Sequence, residues 1–233
     1  MVIKGVAFDF DGTLIDSYSC IPDVYNKLLD IFDLDERTKR LLIQTFILRE
    51  DVYDWENVIE YKKRILMFKN TLLKAGILLD DDSLKGLFDR YWELRISFSK
   101  PRKEVKEVLM ELKKLGLALA IISGKDEIIG LKKLRIKKSN LMRFFDRIYV
   151  IEEEINSKYD GIIKFARDIS ANPNEIVYVD DQPRCIIEAK RANAIAVQIK
   201  FDNLLKLSWS HDANPDYVAS DLKDALAFIK SKL

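Results

Sequence analysis

Val6-Ala7-Phe8-Asp9-Phe10-Asp11-Gly12-Thr13 decides how the rest of the chain reads. It closes an apolar, partly β-branched run that begins at Val2 and stops abruptly at two acids. That pattern describes a buried strand delivering carboxylates to a loop at its C-terminal end. Further on, Leu117 to Ile122, Asp146 to Ile151, Ile176 to Val179 and Ala194 to Ile199 read as four more strands, the first ending in Ser123-Gly124. Pro101 is expected to open the helix that carries Val105, Val108, Leu112 and Leu115 on one face and stops at Gly116. Strand and helix in alternation predict an α/β fold with a doubly wound parallel sheet covered on both faces. Tyr217-Val218 adds a short edge strand, and Ser220 is expected to cap the closing helix.

Between Asp16 and Phe98 the strand signal disappears. Val58, Tyr61, Ile65, Phe68 and Leu72 recur at helical steps and form one stripe that ends near Gly76. The chain therefore divides into an α/β core domain, residues 1–15 and 99–233, and an inserted all-helical domain, residues 16–98. A length of 233 residues, roughly one and a half times a typical ~150-residue domain, suits one core with one insertion.

Composition narrows the function. Lys and Arg number 39 against 38 Asp and Glu, a balance of +1 that argues against coating nucleic acid or an anionic membrane. The longest aliphatic run, Leu117 to Ile122, is far short of the ~20 residues that cross a bilayer, and the expectation is a soluble, cytoplasmic protein. Cys20 and Cys185 have no metal-like spacing and read as buried apolar residues. The single histidine, His211, excludes a paired-histidine metal site and reads as a loop residue. The basic stretch Lys125 to Arg147 reads as a solvated helix face whose apolar side carries Ile128, Leu131 and Leu134. In the helical insertion Arg49, Tyr53, Trp55, Tyr91 and Arg95 can read a leaving group, but aromatics in a helical domain more often belong to its core, and none is assigned.

Ligands of a doubly wound sheet bind beyond the carboxyl ends of its strands. Strand one ends in Asp9 and Asp11, strand two in Ser123, and strand four in Asp180 and Asp181, while Lys158 follows strand three. Each close pair of carboxylates costs about 4 kcal/mol at an effective dielectric near 20, so a cation has to offset them. Oxygen ligands without a His or Cys cluster favour Mg²⁺, which keeps open positions for water and a substrate phosphate. Asp9 is placed to attack phosphorus, and Asp11 to protonate the leaving oxygen and then activate water. Ser123 and the amides near Gly124 can hold phosphoryl oxygens, and Lys158 can neutralise developing charge.

Val6 to Thr13 resembles the first motif of the haloacid dehalogenase-like (HAD) superfamily, Ala120-Ile121-Ile122-Ser123 the second, Lys158 the third, and Val177-Tyr178-Val179-Asp180-Asp181 the acidic fourth. The resemblance implies a Rossmann-like core, Mg²⁺ dependence, an aspartyl intermediate and a helical C1-type cap between motifs one and two. It places Asp9, Asp11, Asp180 and Asp181 in the metal set, and Thr13 with Ser123, Gly124 and Lys158 around the phosphate. Asp180 stands where the commonest fourth motif has Gly, and Cys185 where a later acid falls, so the metal contact lies between Asp180 and Asp181, with Asp181 favoured. Tyr159 follows Lys158 where Pro is common, which keeps Lys164 as a second candidate. The expected activity is hydrolysis of a phosphate monoester of a small metabolite by a monomer or homodimer. A phosphomutase, a 2-haloacid dehalogenase and a phospho-accepting receiver are the alternatives, and Asp11 counts against the dehalogenase.

Overall fold

The computed structural model describes residues 2–55, 59–201 and 212–233. Val58 and His211, two of the positions read above, lie outside them. Six strands form one parallel sheet in the order β5-β4-β1-β6-β7-β8: β1 Gly5–Phe8, β4 Ala118–Ser123, β5 Arg147–Val150, β6 Ile176–Asp180, β7 Ile195–Ile199 and β8 Tyr217–Ala219. The chain runs outward from β1 through β4 to β5, then returns to pair β6 with the other edge of β1. Side chains alternate across the sheet, as strand geometry requires. Val6, Phe8, Leu119, Ile121, Val177 and Val179 pack on one face with helices α5 (Val105–Lys114), α6 (Leu131–Lys138) and α9 (Leu222–Lys230). Ala7, Ala120, Ile122, Ile176 and Tyr178 pack on the other with α7 (Lys158–Asp168) and α8 (Pro183–Arg191). Both faces are buried, which is why these strands read as continuous apolar runs.

Four helices occupy the segment after β1: α1 Ile21–Leu29, α2 Glu36–Trp55, α3 Tyr61–Leu73 and α4 Asp81–Phe98. They share an apolar cluster of their own, with Tyr25 stacked on Phe46 at 4.4 Å and Phe68, Leu72, Phe88 and Tyr91 beside them. Of the stripe expected along α3, Phe68 and Leu72 are buried, whereas Tyr61 is more than a third exposed and Arg64 is buried instead.

Two local expectations are corrected. Pro101 does not open a helix. With Lys100 it forms β3, which pairs antiparallel with β2, Ile15–Asp16, where the chain leaves and re-enters the core. A proline is tolerated there because so short a ribbon leaves its missing N–H at an edge. The second correction is the cap of α9, which is Asp221 rather than Ser220. Its carboxylate accepts the Asp224 N–H at 2.8 Å, while the Ser220 N–H and hydroxyl donate to Asp224 at 2.9 and 3.3 Å. A carboxylate accepts more strongly than a hydroxyl and complements the helix N-terminus.

Candidate active site

The C-terminal ends of β1, β4 and β6 open into a cavity of about 490 Å³ roofed by the helical insertion. Asp9 follows β1, and its Oδ1 meets Lys158 Nζ at the first residue of α7. The same ammonium donates to the Ile122 carbonyl at 2.6 Å and to Asp180 Oδ2 at 3.4 Å. Burial by itself would lower the Lys158 pKa, but Asp9 and Asp180 outweigh it and raise it, so the ammonium stays charged. Asp9 is pushed up to about 6 by burial, against the pull of Lys158. Lys164 lies elsewhere, donating to the Glu154 carbonyl at 3.2 Å, and does not line the cavity.

Asp180 ends β6 and is anchored on both oxygens: Oδ1 accepts the Gln182 N–H at 2.8 Å, and Oδ2 accepts the Tyr178 hydroxyl at 2.5 Å. Asp181 takes the Thr13 hydroxyl on Oδ1 at 3.1 Å, and its Oδ2 is buried with no partner among the described residues. Burial, then Asp180 and Asp9, push its carboxyl well above the usual range. Oxygens of Asp9, Asp180 and Asp181 lie within 4.8 Å of one another. Three buried carboxylates, one with an orphaned oxygen and two pushed upward by burial and their neighbours' charge, fit a small oxygen-seeking dication. Gly12 makes the arrangement feasible. Its φ is +79°, and a Cβ there would stand 2.5 Å from Asp181 Oδ2 and 2.6 Å from Tyr18.

Asp11 is separate from this trio. Lys132 and Arg135, both from α6, hold its carboxylate, with Arg135 Nη1 at 3.0 Å from Oδ2. Burial would raise Asp11, yet Arg135 and Lys132 outweigh it and hold the carboxyl well below the usual range. Both cations also bind the buried Asp126, Lys132 at 2.9 Å and Arg135 at 2.9 and 3.1 Å. The basic stretch after β4 is therefore not simply a solvated face. Lys132, Arg135 and Ile136 are the buried positions of α6, while Ile128 and Leu134 are more than two-fifths exposed. Charge was read there as exposure, and the overlooked signal is the three-residue spacing that puts Lys132 and Arg135 on one helix face.

Ser123, the last residue of β4, lines the cavity with its hydroxyl buried and unpartnered, and Gly124 lines it beside Ser123. Ser123 caps no helix, because α6 begins only at Leu131. From the insertion, Tyr53, Tyr91 and Arg95 reach the cavity and Arg49 does not, while the Trp55 side chain lies outside the described residues. Sequence reasoning also missed Glu50 and Arg64. Glu50 Oε1 accepts from Tyr25 at 2.5 Å, Tyr91 at 2.8 Å and Arg64 at 2.5 Å, and Arg64 Nε crosses to Glu127 of the core at 2.8 Å. Glu50 falls on the helical face of Phe46 and Tyr53, and Arg64 on that of Phe68, so a charge on an apolar stripe was the available cue. Cys20 and Cys185 are buried free thiols, as expected.

A parallel α/β sheet with a buried acid trio, a lysine and a free hydroxyl at its C-terminal edge, beneath a helical layer, defines a hydrolase-type centre. The model of the haloacid dehalogenase-like hydrolases matches residues 6–199, and the chain belongs to that family. Among its curated relatives are the pyrophosphatase PpaX of Oceanobacillus iheyensis, 23% identical over 98% of both chains, and the phosphoglycolate phosphatase of Neisseria meningitidis serogroup A, 24% identical over 95% of this chain and 92% of that one. The L-2-haloacid dehalogenase of Xanthobacter autotrophicus shares the fold, with a TM-score of 0.70 at 16% identity over the full length of both chains. Among the described residues, no helix is long and apolar enough to cross a membrane.

Proposed function

We propose that the chain is a Mg²⁺-dependent phosphatase that hydrolyses a phosphate monoester of a small metabolite through an aspartyl-phosphate on Asp9. The observation that carries this reading is the gathering of Asp9, Asp180 and Asp181 within 4.8 Å beside the unpartnered Ser123 hydroxyl and the Lys158 ammonium. Relatives whose names are those of phosphatases, aligned over nearly the whole chain, support it. Asp9, Asp180 and Asp181 would hold the ion, with Asp181 offering the free oxygen, and the ion would supply charge neutralisation for an approaching phosphoryl group. Asp11, whose carboxylate is committed to Lys132 and Arg135, is left out of the carboxylate ligand set.

In the first half-reaction an Asp9 oxygen bonds to phosphorus, the ester P–O bond breaks, and the leaving oxygen takes a proton from Asp11. Water then attacks the aspartyl-phosphate, Asp11 takes the water's proton, and inorganic phosphate departs as Asp9 is regenerated. Ser123 and the backbone near Gly124 would take the phosphoryl oxygens and Lys158 would stabilise the charge that develops on them, whereas Thr13, which does not line the cavity and donates its hydroxyl to Asp181, acts through that carboxylate instead of touching the phosphate. Lys132 and Arg135 favour the ionised form of Asp11, the form the second half-reaction uses, and its acid role requires that clamp to loosen. Residues 16–98 act as a cap that excludes water during transfer. Hydrolysis of p-nitrophenyl phosphate by the purified protein, with Mg²⁺ and with chelator, tests the reading together with Asp9→Asn. Metal-dependent turnover that survives Asp9→Asn would sink it.

A further inference from the structure

We infer that the substrate's leaving group itself carries an anion, a carboxylate or a second phosphoryl group, and that Arg95 of the helical insertion receives it. The inference rests on the phosphatase reading above and adds the class of substrate.

Arg95 lines the cavity from α4 and is 7% exposed, yet its Nε and Nη1 are buried without a hydrogen-bond partner among the described residues. The other buried cations of the cavity are each compensated: Arg64 by Glu50 and Glu127, Lys132 and Arg135 by Asp11 and Asp126, Lys158 by Asp9 and Asp180. Arg95 has no carboxylate within 4.0 Å among the described residues. Its guanidinium lies 5.9 Å from the Tyr91 ring, and Glu50 already accepts three hydrogen bonds on Oε1. Buried charges persist when they are paired or when a ligand pairs them.

Trp92, three residues before Arg95 and so on the same face of α4, adds a second orphan, its buried Nε1–H. The Arg135 guanidinium lies 5.1 Å from the Trp92 ring and touches Asp11. The unpaired donors of α4 therefore share one end of the cavity with the residue proposed to protonate the leaving oxygen. A guanidinium fork matches the paired oxygens of a carboxylate or phosphate. A neutral alcohol or sugar would leave Arg95 as uncompensated as it is now.

The test measures kcat/KM for phosphoglycolate, whose leaving group ends in a carboxylate, for pyrophosphate, whose leaving group is phosphate, and for p-nitrophenyl phosphate, whose leaving group carries no second anion. In Arg95→Gln the ratio of the better anionic substrate to p-nitrophenyl phosphate falls by about ten- to a hundredfold, the effect of losing hydrogen bonds to a charged group. Arg95→Lys recovers part of that ratio, and the substrate whose ratio falls more assigns carboxylate or phosphoryl. An equal loss on all three overturns the inference, because a structural role predicts it. Turnover of p-nitrophenyl phosphate alone by the unaltered protein overturns the inference and leaves the phosphatase reading standing, whereas turnover of none sinks both. Should Arg95→Gln fail to fold, the same ratios are read in Arg95→Lys: a fall for the better anionic substrate relative to p-nitrophenyl phosphate supports the inference, and an equal loss on all three overturns it.

Discussion

Arg135→Gln removes the guanidinium that ties Asp11 to Asp126. The Arg135 side chain is 4% exposed and makes contacts of 2.9 and 3.1 Å to Asp126 and 3.0 Å to Asp11, besides its second contact to Asp11. Breaking a buried pair by removing one partner costs about 3–5 kcal/mol, since the charge left behind stays desolvated. Lys132 remains on both carboxylates, which places the loss near the lower limit, about 3 kcal/mol. For a chain of this length each kcal/mol moves the melting temperature by about 2–4 °C, so the expected fall is about 6–12 °C. In the Asp126→Asn background the same substitution costs less, and the cycle returns a coupling of about 1–3 kcal/mol. Turnover of p-nitrophenyl phosphate also declines, toward the roughly hundredfold that a positioned acid–base group supplies. Thermal melts of the four proteins and steady-state rates of the unaltered and single variants decide it. A melting temperature within about 2 °C of the unaltered protein, with undiminished rates, would show that Lys132 alone holds Asp11 and that the clamp reasoning is wrong.

Gly12→Ala places a methyl 2.5 Å from Asp181 Oδ2 at a backbone φ of +79°, and it lowers stability by at least the roughly 1–2 kcal/mol of left-handed strain while displacing Asp181. Circular dichroism melts and turnover fall together, and unchanged turnover would refute the contact. Chelation abolishes hydrolysis and added Mg²⁺ restores it, while Asp181→Asn weakens Mg²⁺ binding in calorimetry by removing the unpartnered oxygen; undiminished affinity would move the ligand role to Asp180 alone. For Glu50, burial would raise the carboxyl, but Arg64 and Arg95 outweigh it and bring it from an ordinary 4.5 to about 2. The folded state therefore binds that proton later than the unfolded one, and ionised Glu50 contributes about 3 kcal/mol above pH ~4.5 that is lost as pH falls toward 2. Urea midpoints measured down the acid limb should drop less steeply in Glu50→Gln, and parallel curves would reject the linkage.

The sheet was legible because β1, β4 and β6 are buried on both faces, so each of these strands is an unbroken apolar run with chemistry only at its end. The same logic singled out Asp9, Asp11, Ser123, Asp180 and Asp181 at strand ends, and placed Lys158 after the third strand without its contact to Asp9. The sequence alone does not separate the duties of neighbouring acids. Asp180 is engaged by Tyr178, Gln182 and Lys158, leaving Asp181 with the free oxygen, and these are contacts across 2 to 22 positions that follow from packing. Pro101 and Ser220 were misread for local reasons: a favoured helix-start residue was taken into a two-residue ribbon, and a stronger cap stood next door. The larger miss was α6, where Lys132 and Arg135 counted as solvent-facing because charge normally is.

Burial of charge separates the site from the scaffold. Among the described residues eleven charged side chains are buried, and nine of them, all but Asp51 and Asp181, line the one cavity above the sheet. Replacing buried ion pairs by well-packed apolar groups is often neutral or stabilising, so stability alone gives little reason to keep them. The sheet beneath has no such need: its strands hold together mainly through apolar side chains, with buried charge only at their C-terminal edge. The desolvation carried by Asp11, Asp126, Lys132 and Arg135 is thus accounted for by what the quartet does, which is to aim one carboxylate into the cavity. By the same reasoning Arg95, whose buried Nε and Nη1 no carboxylate of the described residues hydrogen-bonds, points to an anion supplied from outside.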